Sequence, residues 1–265
     1  FLVNLEKVLR GLERAGLYGS AKKCVLGVER VRFLGCWVDA GGVAVDEAKV
    51  EGIKGLPVPR TKTELRGWIG AVNFHSAHLP ALQAVLEPLH ALVGGPKRGT
   101  VSLGAKELAA MKEGIKLLEE ACVLSGWNPR DRTLLITDAS DYGCGAALYQ
   151  RKDAEEPWRP VAFFSKGLSK GACSRWPAFA KELFALYAAC RRWRWMILSS
   201  RHRVDVWTDN SAVCALRTAV FGEGGVLGAT LVRWAQSICE LPVDVSHLAG
   251  GLNVCLLYTS DAADE

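Results

Sequence analysis

The chain has 265 residues, 33 Lys and Arg against 28 Asp and Glu, and a formal charge of +5. With 49% hydrophobic and 23% charged residues it has the composition of a globular protein, which excludes a disordered tail, a collagen-like repeat or a coiled coil as a description of the whole. No run of 18 apolar residues occurs and the first residues carry no export pattern, so neither a membrane span nor a signal peptide is expected, and the protein is placed inside the cell. A first residue of Phe1 rather than Met suggests a longer reading frame.

In chain order, Leu2 to Ala15 has helical periodicity and stops at Gly16. Val31 to Val38 reads as one strand, turned back at Gly41-Gly42 toward Val43 to Val45. Asp46 is an N-cap for a helix through about Gly52, and Thr61 caps another in which Glu64 completes a capping-box spacing. The breaker-rich run from Gly94 to Gly99 is the best internal boundary. A helix from about Ala105 to Ala121, with Leu108, Met111, Ile115 and Leu118 on its apolar side, precedes the turn Asn128-Pro129-Arg130-Asp131.

The pattern then changes. Leu134 to Thr137, Gly145 to Tyr149 and Pro160 to Phe164 are three successive strands. A long helix from about Pro177 to Leu198 follows, then a strand at Val204 to Trp207, helices at Ser211 to Thr218 and Val226 to Cys239, and a strand at Val243 to Ser246. This order describes an α/β domain with a mixed five-stranded sheet covered by helices, preceded by a mainly helical module. The nine cysteines have no CxxC pair or Cys/His spacing, and read as reduced, mostly buried thiols.

Three carboxylates stand out. Asp138 and Asp209 each end an apolar strand, and Glu182 lies in the first turns of the long helix on the side of Leu186, Ala189 and Trp193, away from Lys181, which is expected to face solvent. Three such groups brought together repel and lose hydration unless a divalent cation neutralises them, and oxygen ligands suit Mg²⁺ or Mn²⁺. Two such ions serve phosphodiester hydrolysis. Each residue also has a plainer reading: a strand-end Asp forms turns, as Asp141 does, and a Glu near a helix start meets the helix dipole. The basic run Arg191, Arg192 and Arg194, followed by Arg201 and Arg203, fits phosphate contacts, and fits a solvated helix face equally well.

The segment Thr137-Asp138-Ala139-Ser140-Asp141-Tyr142-Gly143, with Arg159-Pro160-Val161-Ala162-Phe163-Phe164-Ser165, Lys181-Glu182-Leu183 and Thr208-Asp209-Asn210, resembles the ribonuclease H domain of gypsy-like long-terminal-repeat retrotransposon Pol polyproteins. The upstream pieces Gly16-Leu17, Lys22-Lys23-Cys24, Phe33-Leu34-Gly35, Glu64-Leu65-Arg66 and Asn73-Phe74 resemble the end of the reverse transcriptase palm and its thumb. The resemblance implies a palm end over 1–45, thumb and connection helices over 46–130 and an RNase H-like domain over 131–254. It implies Mg²⁺ or Mn²⁺ on Asp138, Glu182 and Asp209, and cleavage of the RNA strand of an RNA–DNA hybrid. It further implies a mobile His247 aiding product release or proton movement, nucleic-acid contacts from Asn210 and Asn253, and a primer-holding stretch at Phe33, Leu34 and Gly35.

The double-aspartate polymerase motif and the fingers are not in this sequence, so polymerisation is not expected of it, and the upstream polymerase of the same polyprotein and a dimer partner are the implied protein partners. The implied location is a cytoplasmic retrotransposon particle or the nucleus. The string Cys255 to Glu265 departs from the family, which continues with a helix bearing a fourth acidic ligand; it resembles a translated sequencing adapter, and Asp261 does not match the missing ligand. Weak or absent activity of this chain is therefore expected. The competing readings are a nonenzymatic nucleic-acid-binding or structural remnant of the element, and a metal-dependent exonuclease. No phosphate loop or nucleophile elbow supports a kinase or a serine hydrolase.

Overall fold

The computed structural model describes residues 1–95, 98–141, 143–168, 176–214 and 228–248. Helix α1 (Leu2–Arg14) buries none of its residues and ends where Gly16 turns to φ 70°. Strands β1 (Val31–Phe33), β2 (Cys36–Asp39) and β3 (Gly42–Val45) form an antiparallel sheet in that order. The single strand expected over Val31 to Val38 is thus two. Phe33 pairs with Cys36 across a two-residue turn in which Leu34 and Gly35 both have positive φ, 50° and 84°. A turn of this kind matches the twist of the flanking strands, and Gly35 enters the left-handed region without a Cβ clash.

The two capped helices form as expected. Asp46 Oδ1 accepts from the Ala48 N–H at the start of α2 (Glu47–Lys54), and Thr61 Oγ1 accepts from the Glu64 N–H at the start of α3 (Lys62–Asn73). With α4 (Leu82–Leu92) and α5 (Ala105–Glu119) they enclose a core of Leu65, Trp68, Val72, Leu86, Leu89, Met111 and Leu118. Gly114 of α5 lies so close to Trp68 that a Cβ there would stand 3.1 Å from the indole ring.

The second sheet has the order β6-β5-β4-β7-β8, built from β4 (Arg132–Ala139), β5 (Gly143–Arg151), β6 (Arg159–Gly167), β7 (Val204–Thr208) and β8 (Val243–His247). β4 pairs antiparallel with β5 and parallel with β7, and β7 pairs parallel with β8. Residues Thr133 to Asp138 are buried without alternation, because the strand is central and covered on both faces. On one face lie α6 (Ala178–Arg192) and α9 (Ala229–Cys239), whose Leu183, Leu186, Ala189, Ala235 and Ile238 pack on Leu135, Val204 and Val206. Full burial of a side chain such as Leu186 is worth roughly 2 to 3 kcal/mol.

On the other face Ala147 and Phe163 pack on Leu124, which also exchanges two backbone hydrogen bonds with Val43 of β3. This small core joins the helical module to the sheet. The approach is closest at Gly42, where φ is +137° and a Cβ would lie 2.2 Å from the Leu124 carbonyl oxygen.

The long helix expected from Pro177 to Leu198 breaks at Trp193 into α6 and α7 (Arg194–Ser199), with Pro177 as the N-cap residue. Trp193, buried, has φ −108° and ψ 22° at the break. The short α8 covers Ser211–Cys214; the rest of the helix expected to Thr218 and the start of the one from Val226 lie outside the described residues, as do Asn253 and the string from Cys255. Cys144 and Cys190 are buried, whereas Cys24 is exposed, against the expectation for its apolar surroundings. Among the described residues no helix is long and apolar enough to cross a membrane.

Candidate metal centre

Asp138 sits at the C-terminal end of β4 and Asp209 one residue beyond β7, and the parallel pairing of Ile136 with Trp207 brings the two strand ends side by side. Helix α6 packs antiparallel over them and sets Glu182 in its second turn against the same end. Carboxylate oxygens of Asp138, Glu182 and Asp209 lie within 4.8 Å of one another. The three residues expected from the sequence are therefore one cluster.

The cluster is held by backbone. The Ala139 N–H donates to Glu182 Oε1 at 3.1 Å, so one oxygen of Glu182 is anchored to β4 beside Asp138. The other, Oε2, is buried without a hydrogen-bond partner. An unpartnered carboxylate oxygen costs several kcal/mol unless it is protonated or meets a cation. Burial, with the neighbouring Asp209 second, pushes the Asp138 carboxyl up to about 6. Burial again leads at Glu182, followed by the charges of Asp138 and Asp209, and pushes it up to about 8 against the opposing pull of the Ala139 N–H. All-oxygen, anionic and under-coordinated, the set fits hard divalent cations.

Lys181 corrects the sequence reading. It is buried, not solvent-facing, and its Nζ donates to Asp141 Oδ1 at 2.5 Å. A link thus runs from the residue preceding Glu182 to the turn following Asp138. No motif spacing signals it, since a Lys beside an apolar helix stripe reads as exposed. The turn is further closed by Ser140, whose N–H donates to the Gly143 carbonyl at 2.8 Å. A groove lined by Pro80, Gln83, Asp138, Ser140, Cys144 and Ser165 opens beside the cluster, between the start of α4 and the sheet.

His247 ends β8 opposite Thr208, is exposed, and its Nε2 lies 3.1 Å from the Asp209 carbonyl oxygen. Because a carbonyl only accepts, Nε2 is the donor in this contact. Asn210 Oδ1 accepts from the Ala212 N–H at 3.0 Å, a capping bond at the start of α8.

The arginines are elsewhere. Arg191 and Arg192 end α6, Arg194 opens α7, and Arg201 and Arg203 precede β7, which places them all at the opposite end of the sheet from the carboxylates. From Glu182 to Arg191 is nine helical residues, ~13 Å, and from Arg203 to Asp209 six strand residues, ~20 Å. Arg203 is engaged by Asp244 at 2.8 Å and by the Val243 carbonyl at 2.7 Å. Phe33, Leu34 and Gly35 form the tip of the β1–β2 hairpin, with Phe33 and Leu34 exposed and Gly35 half-buried.

Residues 103–205 match the family model described as an RNase H-like domain found in reverse transcriptase. Over 262 residues the chain is 24% identical to the Tf2-3 and Tf2-4 transposon polyproteins of Schizosaccharomyces pombe, covering 99% of this chain and 19% of each relative. It therefore spans about a fifth of the length of the curated relatives it matches. Among solved structures, the foamy viral protease–reverse transcriptase bound to an RNA/DNA hybrid is similar, with a TM-score of 0.74, 19% identity, and coverage of 94% of this chain and 33% of that one. The same viral protein bound to double-stranded DNA gives a TM-score of 0.71 at 20% identity, covering 93% and 50%.

Proposed function

We propose that the chain is a fragment of the Pol polyprotein of a Ty3/gypsy-type retrotransposon carrying the RNase H-like domain of its reverse transcriptase, and that in the parent polyprotein this domain hydrolyses the RNA strand of RNA–DNA hybrids by cutting internally, with weak or no cleavage by this chain alone. The observation that carries this reading is the convergence of Asp138, Glu182 and Asp209, with one oxygen of Glu182 buried and unpartnered, at the strand ends of this fold.

Asp138, Glu182 and Asp209 would hold the divalent ions, of which Mg²⁺ is the best match for an all-carboxylate set. Bound there, such ions supply a nucleophile at neutral pH and charge stabilisation for the leaving oxygen. The protein's own part is placement. Ala139 fixes Glu182 Oε1, which leaves Oε2 buried without a hydrogen-bond partner, and parallel pairing of β4 with β7 sets the spacing of the two aspartates. His247, tied through Nε2 to the Asp209 carbonyl, stands at the rim, where it accepts a proton or helps the cut strand leave. Asn210 and the exposed rim residues are proposed to meet the nucleic acid, and the rest of the polyprotein to supply the polymerase.

The test is cleavage of an RNA–DNA hybrid with both RNA ends blocked and an internal label. Within the longer polyprotein, internal products from the hybrid, none from single-stranded RNA, and loss of cleavage on adding EDTA or on Asp138→Asn are expected. Cleavage that survives Asp138→Asn sinks the metal assignment. A folded chain that binds Mg²⁺ yet leaves the hybrid whole, both alone and within the longer polyprotein, would establish the nonenzymatic reading instead.

A further inference from the structure

The end of the sheet opposite the carboxylates holds a charged surface that the hydrolytic reading does not use. Arg191, Arg192, Arg194 and Arg201 are exposed, and among the described residues none of them has a carboxylate within ion-pair distance. The Arg201 N–H is tied to the Pro129 carbonyl at 2.8 Å, and His202 Nε2 to the Arg130 carbonyl at 3.1 Å, so the turn before β4 and the turn before β7 form one surface.

Trp195 stands in that surface. It is 59% exposed and lies edge-on to Trp127, with 6.3 Å between ring centroids. Packing on Trp127 fixes the indole while leaving most of it in water. Arg191 and Arg194 line a neighbouring depression with Tyr187 and Ser237. A single exposed aromatic is ordinary on a protein surface; what sets Trp195 apart is that it is packed against Trp127 in the segment that carries arginines with no carboxylate partner among the described residues.

We propose that this pole is a second nucleic-acid site, separate from the metal centre, which takes a single strand by stacking one base on Trp195 while the arginines meet its phosphates. The choice of a single strand over a duplex follows from chemistry. The bases of a duplex are stacked on one another and offer an outward-facing indole no free face, whereas an unpaired base has one. Arg194, next to Trp195 in the chain, and Arg191 and Arg192 in the preceding turn would supply sequence-independent affinity. The separation of ~13 to 20 Å from the carboxylates means that a strand held here does not occupy the metal centre. The proposal rests on the nucleic-acid reading of the chain, and not on hydrolysis.

The experiment measures, in EDTA, anisotropy of a labelled 12-nucleotide RNA and of a blunt 12-base-pair hybrid on the full chain, with Trp195→Ala and the pair Arg192→Gln/Arg194→Gln. Removing one stacked base is expected to weaken single-strand binding roughly tenfold in Trp195→Ala and to change hybrid binding far less. The arginine pair is expected to flatten the salt dependence by about 1.4 in log–log slope, 0.7 for each phosphate no longer neutralised. Equal weakening for strand and duplex, or none for either, overturns the proposal. Both arginines are exposed, so that variant keeps the test decisive if Trp195→Ala fails to fold. Absence of hybrid cleavage with strand binding intact would defeat the proposed hydrolysis and leave this site standing.

Discussion

The ammonium of Lys181 lies 2.5 Å from Asp141 Oδ1, which joins the helix that carries Glu182 to the turn that follows Asp138. Lys181 is buried while the Asp141 side chain is 76% exposed, so the pair spans the boundary between core and solvent. Its Coulomb energy is modest at such a site, and its effect is geometric: it limits how far the turn lifts from α6. Lys181→Met and Asp141→Asn are expected to raise the Mg²⁺ concentration for half-maximal cleavage about tenfold, the range for residues that orient metal ligands, with the maximal rate largely recovered at high Mg²⁺. A Mg²⁺ titration of initial rates checks this. Unchanged half-saturation in both variants would show the link to be ornamental.

Glu182→Gln keeps the shape and the bond from the Ala139 N–H while removing the charge. Loss of several kcal/mol of ion binding and transition-state stabilisation corresponds to a fall in rate on the order of a thousandfold. The folded state is expected to persist, because the amide removes repulsion within the cluster. Single-turnover rates and a thermal melt, measured on one preparation, separate the two effects.

The raised Asp138 and Glu182 values fix the sign of a pH effect. A carboxyl whose folded value exceeds its unfolded one stabilises the fold most below the unfolded value, near 4, and that contribution is lost as pH rises through the folded value. Here the loss runs through about 6 for Asp138 and about 8 for Glu182. In EDTA the melting temperature is therefore expected to fall by several degrees between pH 5 and pH 8.5. Mg²⁺ is expected to restore it at the upper end, and Asp138→Asn to blunt the slope. A melting temperature that rises with pH in EDTA would contradict the burial assigned to these groups.

Gly42→Ala tests the junction between the hairpin and the sheet. A Cβ placed 2.2 Å from the Leu124 carbonyl, on a backbone with φ +137°, forces strand β3 away from its partner. A cost of about 2 to 4 kcal/mol is expected from overpacking and backbone strain together. Urea denaturation gives the value directly. Gly52→Ala, in open space within α2, is the control and is expected to be neutral or slightly stabilising.

The carboxylates were legible because each stands where a hydrophobic pattern stops: Asp138 after Leu134 to Thr137, Asp209 after Val204 to Thr208, Glu182 on the apolar stripe of α6. Capping residues Asp46 and Thr61 were legible for a similar reason, since their bonds are local. What escaped depends on partners distant in sequence. Nothing near Lys181 announces Asp141, 40 residues earlier. The run Val31 to Val38 contains a turn because Leu34 tolerates a left-handed conformation that its residue type disfavours. The basic run fitted phosphate contacts and a solvated face equally well in the sequence, because periodicity does not show that nine residues of helix carry Arg191 to the end of the sheet away from Glu182.

That separation sets carboxyl groups at the ends of β4 and β7 and guanidinium groups where β7 begins, an asymmetry that grows as the carboxyls ionise with rising pH. A polyanion drifting toward the metal-free protein experiences a torque that turns the arginine end forward and the carboxylates away. Cations bound at the acidic end would weaken this asymmetry, so that divalent ions would bear on the direction of approach as well as on the proposed reaction. Productive encounters then accelerate with added Mg²⁺ under conditions where monovalent salt, which screens both ends alike, slows them.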